Sequence, residues 1–409
     1  MQFDKVPADA AIDRSLKESS LTYDGEPFHA ILDIGKTGED YSGHIELWWV
    51  NATKYRLAIT SPKFSQTKIV NGDRVQEKDD GDYYPRWLEN FALGLMDPFP
   101  MSDNFRGHGG AVAVASQISR SCLRRDDRPG GITDQMTWGD VCFSGSEPHL
   151  LSVLTMNYSM TFGDWEKFRK KKIARTYQTD VLSYQAVTGK LTTLEELKNP
   201  DESLFTVSEV TPPGQRIATT FVSTLKEESL IEMAPDIAWP PVREGKTEGY
   251  MIVYARTDRT GQVRETAKHN SDQPGLEDFG MEQALRYKFK PLVVNGVPQQ
   301  MEMPLVLHFV SKMGEPIPVL NASDMKKQMI SCKPAELPPN ILPKGTVVTY
   351  RVAVNEAGKV AGIGFTDKCP TGCGRLVAPM ASIESCTFSP YLVNGKPTFF
   401  KGDIELIVP

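Results

Sequence analysis

The chain has 409 residues, 24% of them charged and 40% hydrophobic, with a formal net charge of −6 and a pI near 5.7. That length and composition suit a globular protein of about two to four domains, and the acidic balance argues against a nucleic-acid partner, because a phosphate-binding surface makes a domain basic. No apolar run of about eighteen residues occurs, so no transmembrane helix is expected.

Met1 to Pro7 lacks the basic start and apolar centre of a signal peptide, so export would place a removed leader ahead of Met1. Pro7 to Ser19 reads as a helix with Ala11, Ile12 and Leu16 on one face. Phe28 to Ile34 alternates as a half-buried strand does, followed by Tyr41 to Val50, Lys54 to Thr60, Phe64 to Val70 and, after an Asn71-Gly72 turn, Asp73 to Lys78. Strands at this spacing with turn signals between them predict an antiparallel meander. Pro85 then sits near the first turn of a helix in which Trp87, Leu88, Phe91 and Leu95 make a wide apolar stripe, and Asp97-Pro98 stops it. A shorter helix is expected from Gly110 to Ile118 and a polar loop from Asp126 to Gly131. A hairpin opens at Cys142-Phe143 and returns through Leu150 to Tyr158, with Trp165 to Tyr177 and further strands to Val210.

The six cysteines divide as two and four along the chain, which suits an oxidising compartment, although free thiols in a cytosolic protein would look the same. A disulfide between Cys122 and Cys142 would tie the ends of the intervening loop and contribute about 3 kcal/mol in the chain-entropy view. Cys332, Cys369, Cys373 and Cys386 permit three pairings, and sequence leaves them open. Cys369 and Cys373 lack metal-site spacing and have no histidine after them, so no metal is expected.

The last part of the chain repeats itself. Phe289, Pro291, Asn295 and Pro298 recur at one constant offset as Phe388, Pro390, Asn394 and Pro397. Gly261 and Val263 recur as Gly358 and Val360, Pro240-Pro241 and Gly245 as Pro338-Pro339 and Gly345. Each copy reads strand, tight glycine turn, strand, short helix, Asn-Gly hairpin, strand, since Asn-Gly supplies the positive φ angles of a two-residue hairpin.

On the Pro-Pro lead, the Asp258-x-x-Gly261-x-Val263 turn, the Arg286-Tyr287-Lys288-Phe289-x-Pro291 segment and the Asn295-Gly296-x-Pro298 hairpin, the first copy resembles the C-terminal domain of TonB-type energy transducers. The second is similar with departures: Pro379 falls in its helix, which should be short or kinked, and Cys386 replaces Tyr287. The resemblance implies small α/β domains to which a peptide from an outer-membrane or other envelope protein adds as a strand. The candidate edges carry Met303, Leu305 and Leu307 in the first copy and Ile404 and Leu406 in the second. These residues include no anchor and no Pro-rich spacer, so the copies are expected to be passive docking domains.

Upstream, roughly residues 8 to 210, the strands around Tyr41-Ser42-Gly43, Trp48-Trp49 and Gln66 to Val75, the apolar helix, and Val141-Cys142-Phe143 resemble the LolA-like and LolB-like lipoprotein carriers of the periplasm. That resemblance implies an open antiparallel half-barrel, capped by helices, that holds acyl chains.

The combined expectation is an α+β protein. An open antiparallel half-barrel with capping helices occupies residues 1–235, a first TonB-C-like α/β domain 236–310, a linker 311–337, and a divergent second copy 338–409. A ligand-holding apolar cavity would be lined by Trp48, Trp49, Tyr55, Phe64, Trp87, Phe91, Leu95, Phe143, Met156 and Tyr158. An ordinary filled core accounts for the same residues, and Trp48 and Trp49, being adjacent, face opposite sides of a strand. The basic run Arg169 to Lys172 with Arg175 reads either as a site for anionic headgroups or as a protected strand edge. No metal motif, nucleophile elbow or phosphate loop is found among six scattered histidines and the glycines, so neither an enzyme nor a cofactor is expected. The function that follows is a non-catalytic, exported, periplasmic protein that binds a lipid or acyl chain and docks to an envelope partner. The competing reading is an interaction scaffold whose half-barrel is only a core.

Overall fold

The computed structural model describes residues 8–36, 39–81, 83–100, 102, 120–126, 138–144, 149–155, 158–181, 185–212, 215–333, 342–366 and 378–408. The fold is α+β and mainly β, with antiparallel pairing dominant and sheets that stay open. The chain divides into two compact units, Met1–Trp239 with Glu248–Val310, and Pro240–Thr247 with Ser311–Pro409.

The first unit opens with α1 (Ala8–Ser19), whose Ile12 and Leu16 are buried. Five strands follow: β1 (Phe28–Ile34), β2 (Gly43–Asn51), β3 (Lys54–Thr60), β4 (Ser65–Asn71) and β5 (Arg74–Asp80). After α2 (Arg86–Met96) come β6 (Arg120–Asp126), β7 (Trp138–Ser144), β8 (Leu150–Thr155), β9 (Ser159–Phe168), β10 (Lys171–Val181) and β11 (Gln185–Glu196). They form one eleven-stranded sheet in the order β5-β4-β3-β2-β1-β11-β10-β9-β8-β7-β6, so two meanders join where β1 meets β11. The period of two decides the faces: Phe28, Ala30, Leu32 and Ile34 of β1 and Ile45, Leu47 and Trp49 of β2 point to the buried side, where α1 and α2 lie.

Two expectations change here. The segment Trp165 to Tyr177 is a hairpin, turning at Arg169 with a positive φ, and no strand follows Glu196 before Val210. The basic run therefore forms a turn. Its Arg169 donates to the Pro27 carbonyl and pairs with Glu26 and Glu196, Lys171 donates to the Ser20 and Tyr23 carbonyls, and Arg175 pairs with Glu166. The extended chain after β11 instead covers the edge strand β5: Thr211 N–H donates to the Val75 carbonyl and Glu77 N–H to Thr211 Oγ1. Such cover protects an edge from stray pairing. The helix expected over Gly110–Ile118 lies outside the described residues, as does 127–131 of the expected loop.

The rest of the first unit is β12 (Thr219–Phe221), α3 (Thr224–Leu230), β13 (Ile231–Met233), β14 (Glu248–Thr257), β15 (Val263–Ser271), α4 (Glu277–Ala284), β16 (Lys288–Phe289), β17 (Leu292–Val294) and β18 (Val297–Val310). The second unit repeats the series: β19 (Val319–Leu320), α5 (Ala322–Gln328), β20 (Met329–Ser331), β21 (Val347–Val354), β22 (Val360–Phe365), α6 (Ala378–Glu384), β23 (Thr387–Phe388), β24 (Tyr391–Val393), β25 (Lys396–Thr398) and β26 (Phe400–Ile407). Each repeat thus begins with a short strand, helix and strand placed, by sequence alone, in the half-barrel or in the linker. β12 pairs parallel with β18 and β19 with β26, while β13 pairs with β16 and β20 with β23. Residues 311–337 are therefore largely a structured part of the second repeat.

The turns follow local chemistry. Asn295-Gly296 and Asn394-Gly395 all take positive φ. Gly261 and Gly358 also have positive φ, and each carbonyl accepts from the N–H of Phe289 or Phe388. A Cβ on Gly261 would stand 1.8 Å from the Phe289 oxygen, whereas one on Gly296 would meet nothing within 4 Å. Gly261→Ala should therefore cost several kcal/mol and Gly296→Ala only about 1 kcal/mol of backbone strain, measured by denaturant unfolding; equal losses would show that the close approach does not matter.

Candidate functional site

The buried face of the eleven-stranded sheet is apolar and is covered by α2. Phe91 and Leu88 are fully buried, Leu95 is 1% exposed and Trp87 5% exposed. The helix sits close because the sheet offers glycines beneath it: a Cβ on Gly189 would stand 2.8 Å from the Phe91 ring, and one on Gly43 3.3 Å from Leu88. Trp87 meets Phe91 and Tyr41 edge-on. A buried polar contact fixes the register, since Asn90 Nδ2 donates to Thr179 Oγ1, which donates in turn to the Ser159 carbonyl. Tyr158 donates to the Pro98 carbonyl just past the helix end.

Of the ten residues expected to line a cavity, Trp49, Phe64, Trp87, Phe91, Leu95, Phe143 and Tyr158 join one buried cluster, with Tyr55 packed against it. Trp48 does not. It lies on the opposite face, stacked against His29 at 5.1 Å with the Arg56 guanidinium 5.6 Å from its ring, because neighbours in a strand point to opposite sides. Met156 lies outside the described residues.

Trp49 differs from its neighbours. Its ring is sandwiched between Phe28 and Tyr55, at 6.3 and 5.4 Å, and is 6% exposed, yet its indole N–H has no hydrogen-bond partner among the described residues. Buried polar groups are normally paired, so an orphan donor within an apolar surface calls for an acceptor from elsewhere.

The start of α2 is held from outside the eleven-stranded sheet. Pro85 caps it without any side-chain bond; instead the Arg86 N–H donates to Glu265 of β15 at 2.9 Å. Arg256 of β14, completely buried, donates to Glu89 of α2 at 2.6 Å and to Thr219 at 2.9 Å, and faces Glu302 of β18 at 3.5 Å. Burial opposes its charge, but Glu89 and Glu302 outweigh it and push the guanidinium well above its ordinary range. Burial also raises the Glu265 carboxyl, despite Arg256. Gln300 brackets Tyr84, accepting from its N–H at 2.6 Å and donating to its carbonyl. Sequence reasoning missed this set, because nothing local marks a polar residue whose partner lies more than a hundred positions away.

The expected docking edges are placed differently. β18 pairs with β14 on one side while β12 on the other reaches only Gln300 to Glu302, and Met303, Leu305 and Leu307 point into the core; β26 pairs with β21 on one side while β19 on the other reaches only Lys401 and Gly402, with Ile404 and Leu406 beyond it half-buried. Past β12, the Val306 N–H of β18 meets the carboxyl of Glu227 on α3, a side chain 3% exposed whose burial raises its pKa to about 8. Cys122 and Cys142 stand directly opposite each other across β6 and β7 at disulfide distance; Cys332 and Cys386, a pairing sequence left open, are also at disulfide distance, and Cys369 and Cys373 lie outside the described residues.

No family model matches the chain, and no curated protein matches it. Among solved structures it is similar to a LolA superfamily protein from Nitrosomonas europaea, at 11% identity and a TM-score of 0.31 over 49% of this chain and 98% of that one. It is also similar to a DUF1329 family protein from Desulfovibrio piger, at 11% identity and 0.32 over 50% and 99%. Likeness at that level carries no argument, and the functional reading rests on the geometry. Among the described residues no helix is long and apolar enough to cross a membrane.

Glu227 makes the first unit sensitive to pH. Its folded pKa lies above its unfolded one, so between about pH 4.5 and 8 the unfolded chain holds fewer protons and stability falls as pH rises. Relative to Glu227→Gln, the wild type should lose about 1.4 kcal/mol per pH unit across that window in urea titrations; parallel curves would show that the carboxyl is not buried in this way.

Proposed function

We propose that this is a non-catalytic protein of the bacterial periplasm that binds an apolar ligand carrying an acceptor oxygen, such as an acyl chain with its carbonyl, on the buried apolar face of the eleven-stranded sheet. The observation that carries this reading is Trp49: an unpaired N–H held in an apolar wall, with rings on both sides, matches a mostly apolar ligand with one polar anchor point. The open sheet supports it, since its apolar face is covered by helices and not by a second sheet. Two disulfide-distance pairs fit an oxidising compartment. The two repeats serve as docking domains for an envelope partner. A second reading has one specific observation in its favour: Phe91 packs so tightly on Gly189 that α2 itself fills the space. On that reading the half-barrel is a core and the chain is an interaction scaffold.

Native mass spectrometry of protein recovered from a bacterial periplasm, before and after mild organic extraction, separates the two. A retained mass in the lipid range, lost on extraction, is expected; bare chain in repeated preparations would favour the scaffold. Trp49→Phe, which keeps the ring and removes the donor, should reduce retention roughly tenfold, as loss of about one charge-free hydrogen bond does. Paired Trp87→Ala and Phe91→Ala should abolish retention while the repeats stay folded; unchanged retention in these variants would sink the carrier reading.

A further inference from the structure

The two repeats share a backbone plan, so each position of one can be compared with its partner in the other. The pairings of β14 with β18 and of β21 with β26 set the correspondence: Thr257 opposite Met301 matches Val354 opposite Phe400. On that register the residues that grip α2 have no equivalents. Arg256 corresponds to Ala353, Glu302 to Lys401, Gln300 to Phe399, Tyr254 to Arg351 and, through the pairing with β15 and β22, Glu265 to Gly362. Every one of these positions lies on or beside the sheet surface that the first repeat turns to Tyr83, Tyr84 and α2. In the second repeat the same surface carries an ordinary cross-strand pair, Arg351 with Asp403.

The contacts also sort by what they hold. Glu265 supplies the helix N-terminal acceptor that Pro85 lacks. Gln300 pairs with the backbone of Tyr84 on both sides, as a strand would. Arg256 joins Glu89 of the helix to Glu302 of the repeat, and the Arg86 guanidinium lies 5.0 Å over the Tyr254 ring. A buried arginine between carboxylates is a poor source of net stability, but it punishes any rearrangement that leaves one charge unpaired. Among the described residues α2 has few other polar ties: Asn90 holds its middle, the Thr22 hydroxyl donates to the Met96 carbonyl at its end, and its remaining grip on the sheet is apolar packing.

We infer that the first repeat is a clasp on α2, with Arg256, Glu265 and Gln300 as positioning residues that decide whether the helix covers the apolar face of the sheet. Release of Glu89 and Tyr84 frees the helix start, and the apolar face beneath it, around Leu32, Gly43 and Gly189, becomes open to a ligand. The consequence for binding rests on the carrier reading above; the clasp itself does not.

Hydrogen–deuterium exchange of the full chain, read by mass spectrometry, tests the clasp. In Gln300→Ala and Arg256→Met the amides of α2 should exchange roughly tenfold faster, while those of β1, β2 and β14 keep their wild-type rates. Glu89→Gln weakens the same tie from the helix side and serves if Arg256→Met does not fold. Unchanged α2 exchange in all the folded variants would overturn the proposal, and so would equal acceleration in α2, β1 and β14, which marks a general loss of stability. Fluorescence of cis-parinaric acid separates the two readings: faster α2 exchange with greater probe uptake supports both, while faster exchange without uptake supports the clasp and overturns the carrier.

Discussion

An open sheet of eleven strands has one apolar face and no second sheet to bury it against, and α2 is this protein's answer to that constraint. The helix brings Trp87, Leu88, Phe91 and Leu95 onto the sheet, and Gly43 and Gly189 let it come close. Burial of four such side chains is worth several kcal/mol in area terms, yet an eleven-residue helix has little stability of its own. Its position therefore depends on the tertiary contacts at its two ends. Tyr158 holds the region just past the C-terminal end, and the first repeat holds the N-terminal one.

The two repeats show how one backbone plan accepts different surfaces. Both keep the glycine turn under the Phe289 or Phe388 amide, both keep the Asn-Gly hairpin, and both keep a leading strand, helix and strand, of which the first strand pairs with the long last strand and the second with β16 or β23. Their interiors diverge by substitution of equivalent kind: Tyr287, buried in the first, corresponds to Cys386, which pairs with Cys332 in the second, and the polar Glu227 corresponds to the apolar Met325. Met325 lies against Gly402, where a Cβ would stand 2.3 Å from its sulfur, so the second repeat closes the same corner by packing instead of a hydrogen bond. Only the start of each long strand gains a second neighbour, Gln300 to Glu302 from β12 and Lys401 with Gly402 from β19, and those short strands arrive from chain segments with no periodicity of their own.

Much of the frame is local and was legible. Alternation in Phe28–Ile34 and Gly43–Asn51 forecast strands because the two faces of a half-buried strand differ chemically; the stripe of Trp87, Leu88, Phe91 and Leu95 forecast α2; Asn-Gly and the repeated glycines forecast turns because only such residues take those φ angles cheaply. Trp48 and Trp49 were known to point apart, but which of them faced the core waited on the strand's neighbours. β12, α3 and β13 escaped notice, since pieces of three to seven residues carry too little pattern and gain their meaning from partners some sixty to eighty positions away. By itself the sequence determined which segments are strands, helices and turns and that the tail is duplicated, for these follow from steric limits and the period of apolar residues. Only the tertiary structure decided that Trp49 keeps an unpaired donor in the apolar face and that Arg256, Glu265 and Gln300 hold α2, because a polar side chain's role is set by the distant group it meets.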